Sequence, residues 1–153
     1  MSLLAYRLMR LIETNAESLA ETLETGMANS ERCATYSQVS SGELKKLVAG
    51  VYRNLGQWLV SKTEEDIERV YTMVGARRAE QGIPVSQLLW CLVLMKENLW
   101  DFVKDMEGLE STSEVFGALE LMQMVDQFFN RAMYYAVRGH EQVDDTRPTE
   151  LKD

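Results

Sequence analysis

Residues 75–100, GARRAEQGIPVSQLLWCLVLMKENLW, decide how this chain folds. Gly82 ends one helix, because glycine alone closes a helix in the left-handed conformation without strain. Pro84 opens the next, at a position where a missing N–H costs nothing. The Gly-Ile-Pro link is too short for anything but a corner, so its flanking helices are close antiparallel or steeply crossed neighbours. The apolar run from Leu88 to Met95 is eight residues long, and a membrane span needs about twenty. It reads instead as the middle of a helix over 84–107. Val85, Leu88, Leu92, Leu99 and Val103 make one stripe of that helix, and Trp90, Val93, Leu94 and Trp100 widen the apolar arc. A helix apolar on most sides is enclosed by its neighbours, which makes this the central one.

Working outward, the remaining apolar residues also recur at helical spacing, and no stretch reads as strand. A first helix over 3–25 carries Leu4, Leu8, Leu11, Ile12, Leu19 and Leu23, with Gly26 as its stop. The polar stretch 27–40 holds at most a short helical turn after Ser30. Ser40 and Glu43 have capping-box spacing and open a second helix through Leu44, Leu47, Val48, Val51, Leu55, Trp58 and Leu59. Thr63 caps a third, with Glu64, Glu65 and Asp66 where the helix dipole favours negative charge; its stripe is Ile67, Val70, Tyr71 and Val74. Ser111 and Glu114 form a further capping box ahead of a helix reaching about residue 139. Its core stripe is Val115, Leu119, Met122, Val125, Phe129, Met133 and Ala136. The fold expected is all-α, a single-domain antiparallel bundle of about five helices. The helical domain covers 1–140, and 141–153 is a polar acidic tail or linker.

The 153 residues carry a net charge of −8. Nucleic-acid binding needs a basic face that displaces counterions from phosphate, and an anionic membrane surface asks for the same. Neither partner suits this chain. Cys33 and Cys91 lie far apart in no metal-binding spacing and read as two reduced thiols. No signal peptide is legible, because arginines at 7 and 10 interrupt the only N-terminal apolar stretch. The expected location is the cytoplasm.

Chemistry is scarce. His140, the only histidine, is expected as a solvated side chain at a helix end, favoured there by the dipole. A proximal haem ligand belongs in a deep apolar pocket. Zincin, di-iron, phosphate-loop and nucleophile-elbow patterns are all missing from the sequence. No catalytic residue, metal site or cofactor is therefore expected. The nine methionines suit a core that repacks or admits an apolar ligand, as well as an ordinary bundle core. Arg78, Asn15 and Asp126 interrupt apolar stripes, which makes them either boundary residues or a candidate internal polar cluster. Leu121, Met124, Phe128 and Tyr135 form a second apolar line on the last helix, a candidate homodimer face.

The stretch YTMVGARRAEQGIPVSQLLWCLVLMKENLW resembles the N-terminal sensory domain of RsbT co-antagonist (RsbRD-type) proteins. The likeness extends upstream to TYSQVSSGELKKLVAGVYRNLGQWL and downstream to VDQFFNRAMYYAVRGHE, so it covers roughly 3–141. The resemblance implies a non-catalytic input module that acts on an output domain or a separate signalling partner. No output domain follows within these residues, so an excised or stand-alone domain is expected. A cytoplasmic sensory or protein-interaction domain of bacterial signal transduction is the leading expectation. The alternative is a globin-like sensor holding haem or another hydrophobic ligand.

Overall fold

The computed structural model describes residues 1–39, 41–106 and 108–146, and it contains six α-helices and no strand among them. They are α1 (Leu3–Thr14), α2 (Ala16–Ala28), α3 (Ser41–Arg53), α4 (Glu64–Glu80), α5 (Val85–Lys104) and α6 (Thr112–Thr146). Two 3-10 turns, Glu31–Cys33 and Tyr36–Gln38, fill the link between α2 and α3, and a π turn, Gln57–Ser61, precedes α4.

The sixth helix comes from a break in the first expected one. Asn15 takes φ −106 and ψ 17, and its Nδ2 donates to the Leu11 carbonyl at 2.8 Å. A side chain that competes for the helix's own acceptor favours such an interruption. Gly26, expected as a stop, lies inside α2. The anticipated Ser40 cap lies outside the described residues, whereas the other two caps are present. Thr63 Oγ1 accepts from Asp66 N while Asp66 Oδ2 accepts from Thr63 N. Ser111 and Glu114 exchange the same pair of bonds. Gly82 adopts φ +77, and Ile83 N donates to the Arg78 carbonyl, which closes the corner as its residues predict.

α4 and α6 run in the same direction along much of their length. Arg131 Nε on α6 reaches Glu64 at 3.3 Å near the start of α4. Further along, Thr72 meets Gly139, and beyond the end of α4 Ile83 meets His140. Their backbones nearly touch: a Cβ on Gly75 would stand 1.9 Å from the Ala136 carbonyl oxygen, and one on Gly139 would stand 2.0 Å from that of Thr72. Ala79, Ala132 and Ala136, all buried, complete this small-residue seam. Only residues without bulk at these positions let two helix backbones come so close.

Two expectations about the centre change as a result. α6 packs against α1, α4 and α5, so it is buried on more than one face and takes the central role expected of α5. α5 keeps Leu89 and Trp100 at the surface. α6 also continues to Thr146, so residues 141–146 are helical where a polar tail was expected; residues 147–153 lie outside the described residues. The first turns of α6 extend past the start of α4 and lack that neighbour. Val115, Phe116 and Leu119 are exposed there, although Val115 and Leu119 were expected in the core.

Candidate functional site

The residues between α2 and α3 form a strap across α5. Gln87 Oε1 accepts from the backbone N–H groups of Thr35 (2.8 Å) and Tyr36 (3.0 Å), while Gln87 Nε2 donates to Thr35 Oγ1. The Arg32 guanidinium lies 4.4 Å from the Trp90 ring centroid. Tyr36 and Cys33 point inward and are buried.

Below the strap sits Arg78, the only buried Lys, Arg, Asp or Glu among the described residues. Its Nε donates to the Tyr36 hydroxyl at 2.8 Å. Its Nη1 donates to Glu43 Oε1 at 3.0 Å and to Gln81 Oε1 at 2.8 Å. Glu43 also accepts from Arg77 Nε at 2.7 Å. Hydrogen bonds from Arg77 and then Arg78 hold the Glu43 carboxyl down at about 2, because both favour its charged form. Burial raises the Tyr36 hydroxyl well above its usual range and pushes the Cys91 thiol up to about 12.

The expected cluster of Arg78, Asp126 and Asn15 does not assemble in this way. Arg78 does meet an acid from another helix, but that acid is Glu43. Asp126 accepts from Trp100 Nε1 at 2.9 Å and lies 3.9 Å from Lys96 Nζ. Asn15 is exposed at the break between α1 and α2. The cause is register. The Gly75–Ala136 and Thr72–Gly139 contacts set Arg78 level with the far part of α6, which leaves Asp126 roughly 20–30 Å back along the helix at about 1.5 Å per residue.

The expected homodimer line is also redistributed. Leu121 and Phe128 are buried inside the chain, and Met124 and Tyr135 are half-buried. Phe128 packs edge-on against Tyr71 and tilted against Trp58. Exposed apolar side chains gather instead where α1 meets the start of α6. Leu3 is 67% exposed, Phe116 65% and Leu119 51%. Between Leu3 and Phe116 lies a groove of about 600 Å³ lined also by Leu4, Arg7, Glu114 and Glu120. Gly117 forms its floor, where Leu4 fits against a missing Cβ.

His140 is buried, not solvated. A carbonyl can only accept, so the ring donates from Nε2 to Ile83 O at 2.7 Å. Nδ1 stands 3.1 Å from Asp144 Oδ2 but out of line for a hydrogen bond. The glycine beside it suggested a helix end, whereas Gly139 is in fact a packing position. With Nε2 bonded to the corner and Nδ1 facing a carboxylate, His140 offers no ring nitrogen to a haem iron. Among the described residues, no three histidine, cysteine, aspartate or glutamate side chains converge as a metal site, and no helix is long and apolar enough to cross a membrane.

Taken together, these elements make a helical bundle with a glycine-lined crossing and an arginine held beneath a strap. Residues 13–150 match the family model described as the RsbT co-antagonist protein rsbRD N-terminal domain, and the chain belongs to that family. No curated protein and no solved structure matches it significantly.

Proposed function

We propose that this chain is a non-catalytic sensory or protein-interaction domain that works in the cytoplasm as a homodimer and acts on a signalling partner or output domain. Family membership supports the regulatory role. The observation that carries the dimer is the exposure of Leu3 and Phe116 at the groove between α1 and α6, with Val115 and Leu119 also exposed on the same turns of α6. An uncovered face of large apolar residues marks an interface. A symmetric pair places the same patch against itself and therefore needs self-complementary charge. The groove provides it, with Arg7 on one lip and Glu114 and Glu120 on the other.

Light scattering at micromolar concentration tests the proposal. A dimer mass is expected for the wild-type chain and a monomer for Phe116→Glu, a substitution at a side chain whose exposure leaves the fold intact. A wild-type monomer would overturn the dimer. A Phe116→Glu protein that stays dimeric would move the interface elsewhere.

A further inference from the structure

The strap is capped from outside itself. In its second turn, Tyr36–Gln38, the N–H groups of Gln38 and Val39 donate within the strap, to the carbonyls of Thr35 (3.1 Å) and Tyr36 (3.0 Å). A 3-10 turn leaves its first N–H groups without a partner in the turn, and the Thr35 side chain does not cap them. The N–H groups of Thr35 and Tyr36 converge on Gln87 Oε1 instead. Trp90, three residues on and so on the same face of α5, takes the Arg32 guanidinium of the first turn. One face of α5 thus holds both turns.

The seat is shallow. Cys33 and Tyr36 are buried, whereas Glu31, Arg32, Ala34, Thr35 and Gln38 are exposed. A segment that buries few apolar side chains opens at lower free energy than packed helices do. Seating and winding also depend on each other. Lifting the strap from α5 removes the second turn's cap, and a single uncapped 3-10 turn does not hold its own shape. A half-lifted strap therefore gains nothing, which leaves two states: wound and seated, or unwound and lifted. On its inner side the strap is tied to the helices. The Tyr36 hydroxyl accepts from Arg78, which also holds Glu43 at the start of α3 and Gln81 at the end of α4. Lifting removes Tyr36 from the guanidinium and leaves it to Glu43 and Gln81.

We propose that residues 30–39 open and close as one unit on an otherwise folded bundle, with the Gln87 amide as the latch and Arg78 as the group that passes the strap's state to α3 and α4. That this motion carries the domain's signal rests on the sensory role proposed above; the motion itself does not. Cys33 reports the open state. In the closed strap it is fully buried, and burial pushes its thiol above the usual range, which makes it a poor nucleophile. In the open strap it leaves α5 and meets solvent.

The test is the rate at which iodoacetamide alkylates Cys33, identified by peptide mass, in native buffer and in urea below the unfolding midpoint. The expected rate is far below that of the denatured chain and nearly independent of urea, because a small opening exposes little surface. Gln87→Met keeps the shape of the side chain without its acceptor and should speed labelling at least about tenfold, the net worth of one or two hydrogen bonds. Gln87→Glu keeps the accepting oxygen and should stay close to wild type. Gly75→Ala weakens the α4–α6 seam in the closed and open states alike, so it should leave the rate in low urea unchanged. A rate that rises steeply with urea and with Gly75→Ala would mean that Cys33 is reached only by unfolding the whole bundle, and the strap would not be a separate unit. Labelling of Gln87→Met at the wild-type rate would overturn the latch, and wild-type labelling as fast as in the denatured chain would overturn the closed state. Should a variant not fold, the wild-type urea dependence decides alone: flat supports the opening and steep overturns it. None of these rates depends on the oligomeric state, so this test and light scattering fail separately.

Discussion

α4 is held on its two sides in opposite ways. Toward α6 it presents Gly75 and Ala79 and meets the neighbouring backbone almost directly. Toward the strap and α3 it extends Arg77 and Arg78, whose long side chains span the gap to Glu43 and Tyr36. The first contact is stiff, because a peptide backbone cannot rotate away from an added atom. The second is adjustable, because a guanidinium and a carboxylate can trade partners. The seam with α6 therefore fixes where α4 lies, and the arginine side determines how firmly the strap is seated on it.

The largest effect belongs to the stiff side. Gly75→Ala forces a Cβ into the Ala136 carbonyl, and Gly139→Ala does the same at Thr72. Overpacking usually costs about 1–3 kcal/mol. The obstacle here is backbone and not a flexible side chain, so each substitution should cost about 3 kcal/mol or more in urea unfolding. Wild-type stability in either variant would mean that the helices separate easily and that the seam is not stiff.

On the adjustable side, Arg78→Met removes a buried cation and leaves the Tyr36 hydroxyl without its donor. Losing one partner of a buried pair costs about 3–5 kcal/mol. Glu43 keeps Arg77 and is about a third exposed, so the expected loss is smaller, about 2 kcal/mol. Arg77→Met breaks an exposed pair and should cost at most about 1 kcal/mol. Equal losses from the two variants would show that the network has no buried member.

These differences also explain what the sequence reveals and what it hides. The corner at Gly82–Pro84 and the caps at Thr63 and Ser111 follow from chemistry between near neighbours in the chain, and they can be read there directly. The Gly75–Gly139 seam cannot be read from a hydrophobic stripe, because small residues barely register as apolar. Its trace is the spacing of Gly75 and Ala79 against Ala132, Ala136 and Gly139. Arg78 stands out in the sequence as a charge on an apolar stripe, but its acid does not. Glu43 meets it through packing around the strap, a stretch without periodicity, so the pattern of interrupted stripes groups Arg78 with Asp126 and Asn15 instead. His140 misled for a related reason, since the glycine before it looks like a terminator until α4 is seen lying against it.

The arginine side also responds to acid. Glu43 sits at about 2 in the folded chain, well below the usual carboxylate range, so folding favours its charged form. The stabilisation is complete above about pH 4.5 and is lost as the pH falls toward 2. Urea midpoints for wild type and Glu43→Gln should therefore differ at pH 5 and converge toward pH 2. Other carboxylates also titrate in this range, but they cancel in the difference between the two proteins. A gap that stays constant with pH would mean that Glu43 is not held by the two arginines.

The smallest effect carries the opposite sign and tests what glycine does at the seam. Gly26 is also a helical glycine, but no heavy atom lies within 4 Å of where its Cβ would stand. It is exposed inside α2 and does not take a positive φ. Nothing local requires glycine there, and glycine loses more backbone freedom on folding than alanine. Gly26→Ala should accordingly stabilise the chain by about 0.5–1 kcal/mol. The same substitution is then unfavourable at 75 and favourable at 26, with helix propensity acting in the same direction at both. Destabilisation at 26 would show that something outside the bundle, such as a second copy, approaches α2 as closely as α6 approaches α4.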